Sequence, residues 1–238
     1  MFKSKWTLFY GVILFADLIL IAFHAGIFRY ATKPLLMIIL AIYFLGSKAP
    51  MPRLSKILLV AALFFSFGGD VLLLLPDKYF LPGLGSFLLA HILYMLFFLK
   101  IRYSNFPIPL CKYPLVFLHA AVLIVFILFL LPYLGSLTVP VIVYALAVSL
   151  VVQCVLHAFR FREQPAGWYC MIGSVLFLIS DGIIAVEKFY HPLPQGGLLV
   201  MFTYGLAQLG LVYGSIQYYR DIAAGYDWQP SRSSQMLY

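Results

Sequence analysis

The sequence predicts an all-α fold, a polytopic membrane bundle of eight transmembrane helices. Three observations lead there. Of 238 residues, 64% are hydrophobic and only 10% charged, with a mean hydropathy of +1.00, more apolar surface than a water-soluble core can hide. Apolar stretches close to the roughly 17–25 residues that cross a bilayer recur from end to end. They lack the apolar–polar alternation of barrel strands, which leaves helices.

The segments follow in chain order. Residues 6–24 come after MFKSK and look at first like a signal peptide. The run is longer than the roughly 7–15 residues of a signal core, contains Asp17 and lacks an A-x-A site, so it reads as the first helix. Residues 33–47, opened by Lys33 and Pro34, form the shortest segment. Residues 54–75 carry Asp70, and residues 82–100, after Pro76 and Pro82, carry His91 and Tyr94. Residues 114–132 and 137–159 are apolar almost throughout. Residues 167–187 carry Asp181, and residues 196–219, after Pro192 and Pro194, carry Tyr204 and Gln208. One domain, 1–220, is expected, followed by a polar, flexible cytoplasmic tail, 221–238.

The net charge of +8 is spread along connections instead of gathered on one face, so it indicates topology and no nucleic-acid partner. With eight spans, Lys3, Lys5, Lys48, Arg53, Lys56, Lys100, Arg102, Lys112, Arg160, Arg162, Arg220 and Arg232 fall on one side. Only Arg29, Lys33, Lys78 and Lys188 fall on the other. The positive-inside rule then puts both termini in the cytoplasm. Cys111, Cys154 and Cys170 are scattered without CxxC spacing and are read as packing residues. No metal-ligand motif, nucleophile elbow or P-loop appears, so neither a metal nor a cofactor is implied.

Asp70 and Asp181 are the residues that demand an explanation. A charged side chain at bilayer depth costs on the order of 2.5–3.5 kcal/mol even on lenient scales, and such residues are functional by default. The bland alternative is a hydrogen bond to Ser66 or Ser180, or a lysine partner, that merely fixes packing. The two acids occupy similar places in the third and seventh segments, each followed by a Pro- and Gly-bearing loop. Two four-helix repeats in the same orientation are therefore expected, and a pseudo-twofold axis would bring the acids face to face across one cavity. Two carboxyls in one apolar pocket suit general acid–base work, one protonated and one ionised. Paired acids beside glycine-interrupted helices equally suit a proton-coupled secondary transporter. A non-catalytic lipid-binding protein is the third reading.

Other polar groups inside spans are candidates with both structural and functional readings. Asp17 is either a third site member or the partner of a neighbouring polar group. His91 shares a helix face with Tyr94. Tyr94, Tyr144 and Tyr204 each need a hydroxyl partner within the membrane. Lys33 is either a snorkelling boundary lysine or a contact for a lipid phosphate. His24, His119 and His157 show no ligand-like spacing.

Taken in order, the motifs are Lys33-Pro34-Leu35, Ser66-x-x-Gly69-Asp70-x-x-Leu73, and Gly83-x-x-x-Phe87-x-x-x-His91-x-x-Tyr94. Pro140-Val141-x-x-Tyr144, Gly173-Ser174-x-x-Phe177-x-x-Ser180-Asp181 and Thr203-Tyr204-x-Leu206-Ala207-Gln208 complete the series. This string resembles the lysoplasmalogenase family of membrane proteins, also called YhhN-like. It departs at Gly68, where the family usually has an aliphatic residue, and at Gly182-Ile183, where it has two leucines. The resemblance implies hydrolysis of the vinyl ether bond of a lysophospholipid substrate in the bilayer, releasing a fatty aldehyde and a glycerophospho-base. It makes Asp70 and Asp181 the catalytic candidates and leaves open which is acid and which is carboxylate; our preference is Asp181 as acid and Asp70 as carboxylate. Lys33, Ser66, His91, Tyr94, Tyr144, Ser180, Tyr204 and Gln208 become the substrate-binding candidates. No obligatory protein partner is implied, and a bacterial cytoplasmic (inner) membrane is the expected location.

Overall fold

The computed structural model describes residues 5–104 and 112–225. Eight α-helices, with short 3-10 turns at several connections, make up the described part, and no strand occurs in it. They are α1 (Lys5–Ala22), α2 (Arg29–Gly46), α3 (Arg53–Leu74), α4 (Phe80–Ser104), α5 (Tyr113–Leu130), α6 (Thr138–Ala158), α7 (Ala166–Phe189) and α8 (Gly196–Ala223). Each is long and apolar enough to span a membrane. Lys3, Cys111, Arg232 and tail residues 226–238 lie outside the described residues. Alternation of the spans gathers the α1–α2, α3–α4, α5–α6 and α7–α8 connections at one end of the bundle, here the Lys188 end. The α2–α3 and α6–α7 connections and Lys112 lie at the other.

Three helix boundaries differ by four residues from the sequence reading: the start of α2, the end of α4, which runs to Ser104, and the end of α8. α2 starts at Arg29, not Lys33, and carries Pro34 inside it. Pro34 lies past the unpaired amides of the helix start, so α2 forgoes the bond that a residue there would make to the Tyr30 carbonyl. A 3-10 turn at Gly26–Phe28 leads into it, so the shortest predicted segment becomes a full span. α8 continues to Ala223, three residues beyond the expected domain edge, with Arg220 in its last turn where a cation suits the carbonyl end.

Lipid offers no hydrophobic drive for helix association, so close packing must supply it. α7 and α8 pack most extensively, and glycine is the reason. A Cβ on Gly173 would lie 2.8 Å from the Ala207 carbonyl oxygen; one on Gly210 would lie 2.8 Å from that of Tyr169, and one on Gly214 2.9 Å from that of Ala166. Gly210 and Gly214 are a small-xxx-small pair that brings the two backbones together. α3 and α4 form the second tight pair, with α4 against α6 and α1 against α2 and α8. The shared core holds Tyr10, Tyr94, Phe97, Phe98, Phe159 and Phe177, all fully buried.

α5 is the exception. It lies along α6 and makes no comparable contact with any other described helix. Only 6% of its span is buried, against 61% for α8. Its entry is nevertheless anchored: Lys112 Nζ donates to the carbonyls of Leu156 and Phe159, 2.6 Å each, closing the C-terminal end of α6.

Candidate active site

Asp70 faces inward from α3 and is completely buried. Tyr204 Oη on α8 donates to its Oδ2 at 2.8 Å, and Lys33 Nζ on α2 stands 3.4 Å from its Oδ1. The network continues from Tyr204 to Gln208, one turn on. Gln208 Nε2 donates to Ser66 Oγ at 3.0 Å, and its Oε1 accepts from Tyr94 Oη on α4 at 2.6 Å. Lys33, Ser66, Asp70, Tyr94, Tyr204 and Gln208 thus form one connected cluster drawn from α2, α3, α4 and α8. An ammonium facing a buried carboxylate offsets the cost of removing both charges from water, and breaking such a pair is expensive.

Asp181 sits on α7 in a second cluster. Tyr144 Oη on α6 donates to its Oδ2 at 2.9 Å, and His91 Nε2 on α4 lies 3.4 Å from the same oxygen. The His91 ring stands edge-on to Tyr144, 5.3 Å between centroids, and packs on Phe177 at 4.6 Å. Phe177 in turn packs on Tyr204 at 5.5 Å, and Phe87 meets Tyr204 at 5.8 Å. A layer of aromatic rings therefore separates the two acid clusters. α4 serves both, since His91 reaches Asp181 while Tyr94, one turn on, reaches Gln208.

Of Asp70 and Asp181, it is Asp181 that lines a cavity. A cavity of about 380 Å³ lies between α5, α6 and α7, in the size range of small-molecule sites. Its wall is aliphatic and aromatic except for Asp181, Tyr144 and His119, which contacts Ser149 at 2.6 Å. A second cavity of about 30 Å³, enough for water, adjoins it and also has Asp181 and Tyr144 on its wall, together with Phe80, Phe87 and Phe189. Asp70 lines neither. The expectation of two acids facing each other across one cavity is therefore not met: α8 inserts Tyr204 between Asp70 and the aromatic layer.

The remaining predicted residues fall as follows. Neither serine contacts an acid, since Ser66 accepts from Gln208 and Ser180 donates to the Val200 carbonyl at 3.2 Å. Lys33 is buried against Asp70 rather than snorkelling to a boundary. Asp17 is the partner of neighbouring polar groups: Thr32 Oγ1 donates to it, and Arg29 Nε lies 3.5 Å away. Arg29 and Thr32 went unpredicted, yet with Lys33 they recur at the i, i+3, i+4 spacing that marks one helix face.

The two clusters are built alike. Lys33 and Asp70 on α2 and α3 are separated by 37 positions, as are Tyr144 and Asp181 on α6 and α7. Each acid takes its other partner from the fourth helix of the opposite half, Tyr204 for Asp70 and His91 for Asp181.

The residues in both clusters lie within 28–215, the stretch matched by the family model described as "YhhN family". The chain belongs to the YhhN family. It is 31% identical over 168 residues to human lysoplasmalogenase TMEM86B, an alignment covering 67% of this chain and 64% of that protein. It is 36% identical over 155 residues to the Sus scrofa protein of the same name, covering 63% and 60%. A Mycobacterium tuberculosis protein named lysoplasmalogenase is 31% identical over 168 residues, covering 66% and 59%. The chain thus spans less than two thirds of these relatives' length. No solved structure matches it. As a YhhN-family chain with eight apolar helices, it is a multi-pass membrane protein.

Proposed function

We propose that this YhhN-family chain is a membrane-embedded hydrolase that cleaves the vinyl ether bond of lysoplasmalogens. The single observation behind the reading is a carboxyl, Asp181, fixed by Tyr144 and facing an otherwise apolar cavity of chain-binding size. The names of the mammalian and mycobacterial relatives point the same way. The alkenyl chain occupies the large cavity with its vinyl ether beside Asp181. The protonated carboxyl delivers its proton to the alkene carbon remote from oxygen, and the other alkene carbon becomes an oxocarbenium centre. Water, for which the smaller cavity has room, adds to that centre and returns a proton to the Asp181 carboxylate. The resulting hemiacetal collapses, its hydroxyl proton passing to the departing oxygen, and yields a fatty aldehyde and a glycerophospho-base. Carboxyl chemistry through an oxocarbenium-like state parallels that of glycosidases.

Asp70, behind the aromatic layer, is a positioning residue in this reading. Paired with Lys33 and bonded to Tyr204, it holds the ring that backs Phe177 and hence His91. The transporter alternative finds no support among these relatives, which are named lysoplasmalogenase. The charge distribution supports cytoplasmic termini, and a bacterial inner membrane is the proposed location. The test is aldehyde release from alkenyl-glycerophosphoethanolamine and -choline by the purified protein in detergent. Wild type is expected to release aldehyde and Asp181→Asn to release none while remaining folded; equal release by the two would overturn the assignment.

A further inference from the structure

The reaction leaves unexplained how the polar half of a lysophospholipid is held, since both cavities are apolar around Asp181. The face of α7 that carries Asp181 continues through Ala185, which lines both cavities, to Lys188. Seven residues are nearly two full turns, so Lys188 stands directly above Asp181 by about 10.5 Å. There Lys188 Nζ donates to Asp77 Oδ1 at 2.9 Å and lies 5.0 Å from the centroid of the Phe80 ring. Phe80 and Phe189 meet edge-on at 6.1 Å and both line the smaller cavity, so the ion pair sits at its rim.

We infer that Lys188 and Asp77, with Phe80 beneath them, bind the zwitterionic phospho-amine headgroup of the substrate. The inference rests on the hydrolase reading and adds the headgroup site to it. Six bonds separate the reacting vinyl ether carbon from the phosphorus, a reach of about 7–8 Å at the spacing of an extended chain, and the amine lies about 4–5 Å further. The headgroup therefore arrives at the height of the Lys188–Asp77 pair when the vinyl ether is beside Asp181. The charges match in kind: the ammonium of Lys188 meets the phosphate, and the carboxylate of Asp77 meets the amine, which the Phe80 face also favours. Asp77 is 92% exposed, and an ion pair so open to solvent is worth little by itself, so exchanging partners with a zwitterion is inexpensive. Phosphate recognition thus moves from Lys33, which is committed to Asp70, to Lys188.

The experiment compares alkenyl-glycerophosphoethanolamine, alkenyl-glycerophosphate and headgroup-free alkenylglycerol as substrates of the full chain in detergent. In Lys188→Ala the kcat/KM ratio of alkenyl-glycerophosphoethanolamine to alkenylglycerol is expected to fall about tenfold, mainly through KM, as loss of a charged hydrogen bond requires. Lys188→Arg should keep most of the ratio. Asp77→Asn should lower the preference for the amine-bearing substrate over alkenyl-glycerophosphate. A Lys188→Ala ratio within twofold of wild type overturns the headgroup site. Failure of wild type to release aldehyde from any of the three substrates is a different outcome, and it overturns the hydrolase reading on which this site rests.

Discussion

Lys33 and Tyr144 stand at matching positions relative to their acids, yet they set those acids different tasks. Lys33 gives Asp70 a permanent countercharge; Tyr144 gives Asp181 one hydroxyl and leaves it open to a cavity. Lys33→Met should therefore cost about 3–5 kcal/mol of stability by stranding a buried carboxylate, and adding Asp70→Asn should recover much of that loss. Thermal unfolding of the single and double variants in detergent checks it. Tyr144→Phe should leave the fold intact and lower kcat for aldehyde release by roughly 10²-fold, because Asp181, the proposed proton donor, loses its orienting bond. At this scale much was legible in the sequence. Asp70, Asp181, Tyr94, Tyr144, Tyr204 and Gln208 stand out as polar groups in apolar runs, and the three tyrosines do find partners there. Which acid faces open space was not legible, because that depends on how α5 and α8 pack around the clusters. Arg29 was assigned to the wrong side of a helix start, and so its role beside Asp17 was missed.

Helix pairs show a similar division. Gly173, Gly210 and Gly214 permit a backbone approach of α7 to α8 that no larger residue allows, since a Cβ on each would meet a carbonyl oxygen of the partner helix. Gly210→Leu should prevent that docking and abolish a monodisperse peak in size-exclusion chromatography. Gly85→Leu, at a glycine with open space around it, should leave the peak in place. Lys112→Met removes two charged hydrogen bonds from the end of α6, each worth about 1.5–3 kcal/mol. Faster amide exchange is expected in the last turn of α6, with the buried middle of α8 little changed. Span count and approximate length follow from hydropathy alone, as the eight helices show. The α2 start did not, since Lys33-Pro34 looks like a helix opening when Pro34 is in fact inside the second turn. The Gly210-x-x-x-Gly214 pair is plain in the sequence, but which helix it meets depends on the packing of α7 against α8.

Across the whole molecule, the charge asymmetry predicts orientation. Single cysteines placed at Ser104 and at Gln195, both exposed, with the native cysteines replaced, should react with an impermeant maleimide from opposite sides of the membrane, Gln195 from the outside. Labelling of both from one side would remove the argument for cytoplasmic termini. The paired construction of the acid clusters could not be read from the thin identity between halves; it emerges only when Tyr204 and His91 are seen to cross between them. α5 carries one more implication. Its outward surface faces lipid along nearly its whole length, and its inward surface closes the cavity beside Asp181. The surrounding bilayer is therefore a structural component of the cavity wall. Acyl-chain order and membrane thickness press directly on that wall, so under the proposed hydrolase function turnover should vary with the host lipid even when every residue of the protein is unchanged.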